Sequence, residues 1–201
     1  HISDVHLLPR QSRKLDFLRE LAALEPDLVV NTGDNLSHPR AVEPLTMALE
    51  GLHHVPGVFV FGSNDYVAPV FKNPFRYLIR RHPEPASEPP LLPTAELKAA
   101  FEDVGWKDLT HGTALLNTAG MDVAFRGTDD AHIDLDDYSL VAGPAQDADL
   151  NVGVTHSPYL RVLDAMTNDG MDLILSGHTH GGQVCLPGHG ALVTNCDLEP
   201  A

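Results

Sequence analysis

Two histidines one residue apart, His178 and His180, follow the apolar run at 171–175 and lie between Gly177 and Gly181-Gly182. Imidazoles so placed are good ligands for a borderline metal such as zinc, iron or manganese. A short apolar run ending in metal-ligand residue types occurs at four further places: Asp4 with His6, Asp34, Asn64 with Asp65, and His156. Carboxylates, imidazoles and one amide in this number exceed what a single tetrahedral zinc takes. The set suits two metal ions that share a bridging carboxylate and leave positions for water and substrate. Two cations about 3.5–4 Å apart can clamp a phosphoryl group and generate hydroxide at neutral pH.

These residues are far apart in the chain, so the elements before them must bring them together. The spacing of Leu15, Leu18, Leu21, Ala22 and Leu24 predicts a helix over 13–24, ended by Pro26. Strands are expected at 28–30 and 58–61, with a helix over 42–52 between them, and Asp4-Val5-His6 reads as the end of a truncated first strand. Strand alternating with helix is the pattern of a parallel sheet covered by helices. A helix with Thr94 as its N-cap and Gly105 as its C-cap follows, then a hairpin pairing 115–117 with 121–125. The strand at 150–154, a helix over 159–168 and the strand at 171–175 return to α/β alternation. Two short strands are expected around 184–186 and 191–193. In open α/β sheets ligands gather at the carboxyl ends of strands, so the five clusters should converge there.

The ordered series Asp4-x-His6, Gly33-Asp34, Gly62-Ser63-Asn64-Asp65, His156 and Gly177-His178-Thr179-His180 resembles the calcineurin-like metallophosphoesterases, most closely their bacterial phosphodiesterase branch. The resemblance spans 4–180. It implies an α/β fold, a four-layer αββα sandwich with two mixed β-sheets between helices and the metal site at the carboxyl ends of the strands. It also implies two divalent or mixed-valence ions (Mn, Fe or Zn). One would be held by Asp4, His6, Asp34 and His180, the other by Asp34, Asn64, His156 and His178, with Asp34 bridging. The activity implied is hydrolysis of a phosphodiester or pyrophosphate bond by metal-activated hydroxide.

The third motif departs from the family pattern, Gly-Asn-His followed by Asp or Glu. Counted back from Tyr66, Ser63 falls on the ligand position; counted forward from Val58-Phe59, Asn64 does. We favour Asn64, because an amide oxygen is a far better metal ligand than a neutral hydroxyl. On either count the usual histidine is missing, and in the favoured one Asp65 occupies its place. A carboxylate with a reference pKa near ~3.9 is a poor general acid at neutral pH. The expectation is therefore a preference for good leaving groups, or a role borrowed by His132 or His38 on neighbouring strand-end loops. Asn35, beside the bridging aspartate, is a further candidate for contact with substrate.

The chain of 201 residues is long enough for one domain with a real core. A net charge of −15 disfavours nucleic acid as a partner and leaves a small-molecule or lipid-linked phosphoester as the leading substrate class. Seven of the 16 prolines fall in 67–93, a Pro-rich insertion or lid that also carries Lys72, Arg76, Arg80 and Arg81. Residues 72–81 are a candidate membrane-surface contact. No apolar run reaches the ~20 residues that cross a bilayer, so the expectation is a soluble domain, anchored to a membrane if a missing N-terminal segment supplies the span. Two rival readings stand beside the first: a cyclic-nucleotide or nucleotide phosphodiesterase, and a non-catalytic metal-binding scaffold that kept the fold.

Overall fold

The computed structural model describes residues 1–69, 89–186 and 190–198. The N-terminal segment runs parallel to strand β1 (Val29–Asn31), with Ile2 bridging Asn31, Ile2 N donating to Val30 O at 2.9 Å and Asp4 N to Gly33 O at 2.9 Å. It makes two isolated bridges, the second between Leu7 and Leu36, and not a full strand, because Asp4 and His6 adopt φ of 53° and 44°, which breaks the extended ladder. Helix α1 (Ser12–Glu20) precedes β1 and tightens into a 3-10 turn over Leu21–Leu24, which Glu25 ends at φ 48° before Pro26. Helix α2 (Val42–Ala48) leads to β2 (Gly57–Phe59), and the four-residue helix α3 (Ser63–Tyr66) follows immediately.

Helix α4 (Thr94–Asp103) and the two-residue strand β3 (Lys107–Asp108) complete a three-stranded sheet of order β1-β2-β3. The expected N-cap role of Thr94 is corrected: Pro93 precedes the helix, and Thr94 Oγ1 donates to Asp65 O at 2.5 Å. The hairpin is present as β4 (Gly112–Thr118) and β5 (Met121–Gly127), followed by β6 (Leu150–Val154), α5 (Leu160–Asn168) and β7 (Leu173–Leu175). These strands form a second sheet of order β4-β5-β6-β7, antiparallel at β4/β5 and parallel beyond. Among the described residues only this sheet is mixed. The first is parallel in every named pair, because each of its strands is reached by a helical crossover. Strands β8 (Gln183–Leu186) and β9 (Gly190–Val193) pair antiparallel.

The alternation of side chains along the strands stacks these elements in layers. Val29, Phe59 and Phe61 face Leu18 of α1, Leu45 of α2 and Leu97 and Phe101 of α4. Val30, Val58, Val60 and Leu109 turn the other way, onto Val123 and Phe125 of β5 and Val152 and Val154 of β6. The far face of the second sheet receives Val162 and Met166 of α5. Helix, sheet, sheet, helix is the resulting order. Each fully buried side chain of this kind contributes roughly 1.5–3 kcal/mol, so the sheet-to-sheet contact holds the two halves in a fixed relation. That relation matters, because the candidate metal-ligand residues follow strands of both sheets.

Candidate metal centre

The loop after β1 is locked by two asparagines. Asn31 Nδ2 donates to Asn35 Oδ1 at 2.8 Å, Asn35 Nδ2 returns a bond to Asn31 Oδ1 at 3.1 Å, and Gly33 N donates to Asn31 Oδ1 at 3.0 Å. The lock presents Asp34 Oδ2 3.5 Å from His6 Nε2 and 3.4 Å from His156 Nε2. One carboxylate oxygen thus lies between an imidazole from the N-terminal segment and one from the loop after β6. The Asn64 backbone amide donates to Asp34 Oδ1 at 2.8 Å and Asn64 Nδ2 to Oδ2 at 2.7 Å. The side-chain amide at the carboxylate is therefore that of Asn64, with Gly62-Ser63 serving as the turn into α3.

Around Asp34 the side chains fall into two groups able to hold a cation: Asp4, His6 and His180, and Asp34, His156 and His178. In the first, His180 Nε2 lies 3.3 Å from Asp4 Oδ1 and 3.1 Å from His6 Nε2. Asp4 is held by the His178 backbone amide, which donates to both its oxygens at 3.1 and 3.0 Å. In the second, His156 Nδ1 pairs with Thr32 O at 2.7 Å. With Nδ1 as the ring donor, Nε2 faces Asp34. Two glycines make room. A Cβ at Gly62 would overlap Asp34 Oδ1 and stand 2.7 Å from His156 Cδ2, and one at Gly177 would overlap Ser3 Oγ and Asp4 Oδ2.

The electrostatics fit cation binding. Burial lowers the pKa of His6 despite the pull of Asp34, and burial with the neighbouring His156 and His132 lowers that of His178. Both are kept as neutral ligands. Burial pushes the Asp34 carboxyl up, but the His156 imidazole and Asn64 amide outweigh it and hold it below the usual carboxylate range. For His156 burial acts downward, and the Asp34 carboxylate overrides it to about 9. A proton therefore balances Asp34 in the metal-free protein and would be displaced on metal binding. His156 Nε2 is buried and makes no hydrogen bond among the described residues. It faces Asp34 Oδ2 at 3.4 Å, and a cation between the two would take the place of the proton.

The family profile for calcineurin-like phosphoesterases matches residues 1–182. The chain belongs to the calcineurin-like phosphoesterase family. It is 29% identical over 185 residues to an uncharacterized protein, YpbG, of Bacillus subtilis, which covers 91% of this chain and 61% of that protein. It is 29% identical over 194 residues to an uncharacterized metallophosphoesterase, YkoQ, of the same organism, covering 93% of this chain and 62% of the relative. A bovine relative named as a transmembrane protein with a metallophosphoesterase domain is 26% identical over 195 residues, 91% of this chain and 40% of that protein. The chain thus spans about three fifths or less of the length of these relatives. No described helix is long and apolar enough to cross a membrane.

The remaining candidates separate. Asp65 does not reach the open face. It is fully buried, and its carboxylate accepts from Asn35 N at 2.8 Å, Gly62 N at 3.1 Å, Leu36 N at 3.2 Å and Asn35 Nδ2 at 3.3 Å. This corrects the expectation that it replaces the missing histidine: it clamps two strand-end loops together. Asn35 is corrected likewise, since it is fully buried and its side chain is spent on Asn31 and Asp65. His38 is half-buried on the same loop, with Nδ1 accepting from Arg40 N at 3.0 Å, and no described contact brings it to the cluster. His132 is beside it, its ring centroid 4.3 Å from that of His178. The basic residues of 72–81 and most of the 67–93 insertion lie outside the described residues.

Sequence reasoning missed several residues that position the cluster. Asp130 is fully buried, and its Oδ1 accepts from Ser157 Oγ at 2.5 Å and from His132 N at 2.9 Å. Tyr66 Oη donates to Asp129 at 2.8 Å. The signal available was an adjacent aspartate pair directly after a strand, but nothing in its spacing says that it points inward.

Proposed function

We propose that this chain is a dinuclear phosphoesterase acting on a phosphodiester or pyrophosphate bond of a small-molecule or lipid-linked substrate. The observation that carries the dinuclear reading is Asp34 Oδ2, set 3.5 Å from His6 and 3.4 Å from His156. In this reading Asp4, His6, Asp34 and His180 hold one ion, and Asp34, Asn64, His156 and His178 hold the other. When bound, such a pair polarises the phosphoryl oxygens and lowers the pKa of a coordinated water. The chain's own residues orient and tune. Thr32 O fixes the His156 tautomer, the His178 amide aims Asp4, and Asn64 holds the shared carboxylate. The net charge of −15 supports a small or singly charged substrate over nucleic acid. A membrane-surface contact through 72–81, and anchoring through sequence beyond this chain, belong to the same proposal.

The test is hydrolysis of an aryl phosphodiester by the chelated protein resupplied with manganese, iron or zinc, in wild type and Asp34→Ala. Metal-dependent turnover in wild type, lost by at least about a thousandfold in the variant, is the expected outcome, since one residue removes ligands from both ions. Absence of turnover with every metal would instead favour a scaffold that binds metal without catalysis.

A further inference from the structure

The segment at 128–132, which leads from β5 into the 3-10 turn Ala131–Ile133, is tied to both loops that bring ligands to the second ion. Tyr66, at the end of the helix carrying Asn64, donates its hydroxyl to Asp129 Oδ1 and Oδ2 at 2.8 and 2.9 Å. Ser157, next to His156, donates to Asp130 at 2.5 Å, and Asp130 also receives the His132 backbone amide. His132 is thereby delivered next to His178. Its Nδ1 lies 3.1 Å from Tyr159 Oη, and the Tyr159 ring is backed by the Arg161 guanidinium 4.9 Å from its centroid. Arg161 in turn donates to Ala131 O at 2.8 Å, closing the frame. Asn195 O pairs with His178 Nε2 at 3.3 Å and lies 3.4 Å from Tyr159 Oη, so the His178 and Tyr159 side chains meet at one carbonyl.

From this geometry we infer that His132 contacts the phosphoryl group of the substrate through Nε2, on the side of the site where His178 stands. The inference rests on the dinuclear phosphoesterase reading above. The Tyr159 hydroxyl makes its shorter contact with Nδ1, and donation there places the ring's proton on Nε2. That atom has no partner among the described residues, and the His132 side chain is exposed. An exposed imidazole, held by one nitrogen beside a buried cation ligand, offers a hydrogen-bond donor to an anion seated on that cation. The other residues near this face are committed: Asp65 and Asn35 are buried and spent on each other's loops. Tyr159 is a positioning residue that sets the plane of His132.

The experiment uses the full chain loaded with manganese and compares wild type, His132→Asn, His132→Gln and Tyr159→Phe. Three quantities are read: metal per chain by elemental analysis, affinity for inorganic phosphate by calorimetry, and KM and kcat for an aryl phosphodiester. His132→Asn should keep the wild-type metal content and weaken phosphate roughly tenfold to a hundredfold, the range for a hydrogen bond to a charged group. Its kcat/KM should fall in parallel. His132→Gln, whose longer amide restores a donor near the Nε2 position, should recover part of the phosphate affinity. Tyr159→Phe should lose less, with metal content unchanged. Unaltered phosphate affinity in His132→Asn would overturn the inference. So would loss of metal in that variant, which would make His132 a prop for His178. A loaded wild type that binds phosphate through His132 but hydrolyses no ester would keep this contact and remove the hydrolytic reading. A loaded wild type that binds no phosphate would overturn the contact itself.

Discussion

Asp4, His6, Asp34, His178 and His180 all adopt left-handed backbone, with φ between 44° and 68°, a region that favours glycine. Such conformations cost of order 1–3 kcal/mol each and persist only where surrounding contacts over-determine them. Here the over-determination is visible: Asp4 N is bound to Gly33 O, His6 N to Asp34 O, and Asp4 receives the His178 amide. Gly62→Ala should therefore disrupt Asp34 and His156 together. The expected result is weakened metal binding and a fall in activity of roughly tenfold to a hundredfold, the range for residues that support metal ligands, read by elemental analysis and turnover. Asp65→Asn should act on folding. An amide in place of a carboxylate leaves backbone donors of Gly62, Asn35 and Leu36 short of acceptors, at about 1–3 kcal/mol in urea unfolding of the metal-free protein. Unchanged stability with lost turnover would return Asp65 to catalysis. That Asp4, His6, His156, His178 and His180 gather around Asp34 was legible in the sequence, because few roles put those residue types after successive apolar runs. The roles of Asp65 and Asn35 were not legible: adjacent loop side chains point in opposite directions, and only the four-residue helix α3 turns Asp65 inward.

At the scale of elements, the parallel strands and their covering helices follow from apolar runs alternating with helical spacing, and the hairpin from Thr118-Ala119-Gly120 between two such runs. Strand β3 and helix α3 were not legible, because two and four residues are too short to show a period. Helix α5 seats on the second sheet through Met166, fully buried, over a strand where Gly153 leaves space: a Cβ there would stand 2.7 Å from Met166 Sδ. Met166→Ala should cost about 2–5 kcal/mol by leaving a cavity, measurable by denaturant unfolding. The end of α5 is pinned through Asp169, whose Oδ2 accepts from Arg126 Nη1 at 2.7 Å, Gly143 N at 2.8 Å and Tyr138 Oη at 2.9 Å. The Gly143 amide first, with Tyr138 and Arg126, holds the Asp169 carboxyl below its ordinary pKa of 3.8. A folded-state pKa below the unfolded one contributes stability that is present above the unfolded value and lost as pH falls through the folded value. Asp169→Asn should thus lower stability by about 1–2 kcal/mol at neutral pH, at the low end because water reaches the carboxylate. The same variant should show a shallower loss of stability below about pH 4 than wild type.

For the whole molecule, a net charge of −15 works against compaction, and the cluster around Asp34 concentrates part of it between the two sheets. Binding cations there links folding to metal. At a free metal concentration a hundred times its Kd, one ion adds about 2.7 kcal/mol. Chelation should therefore lower the melting temperature and make stability more dependent on added salt, since screening then relieves repulsion that the metals had cancelled. A melting temperature indifferent to chelator would count against a structural link between the sheets and the metals. The most direct measurement is anomalous diffraction from crystals of the manganese-loaded chain. Two peaks about 3.5–4 Å apart are expected, the spacing of a shared-ligand pair. Both should lie within coordination distance of Asp34, one beside Asp4, His6 and His180 and the other beside Asn64, His156 and His178. A single peak, or two peaks that do not share Asp34, would contradict the dinuclear centre.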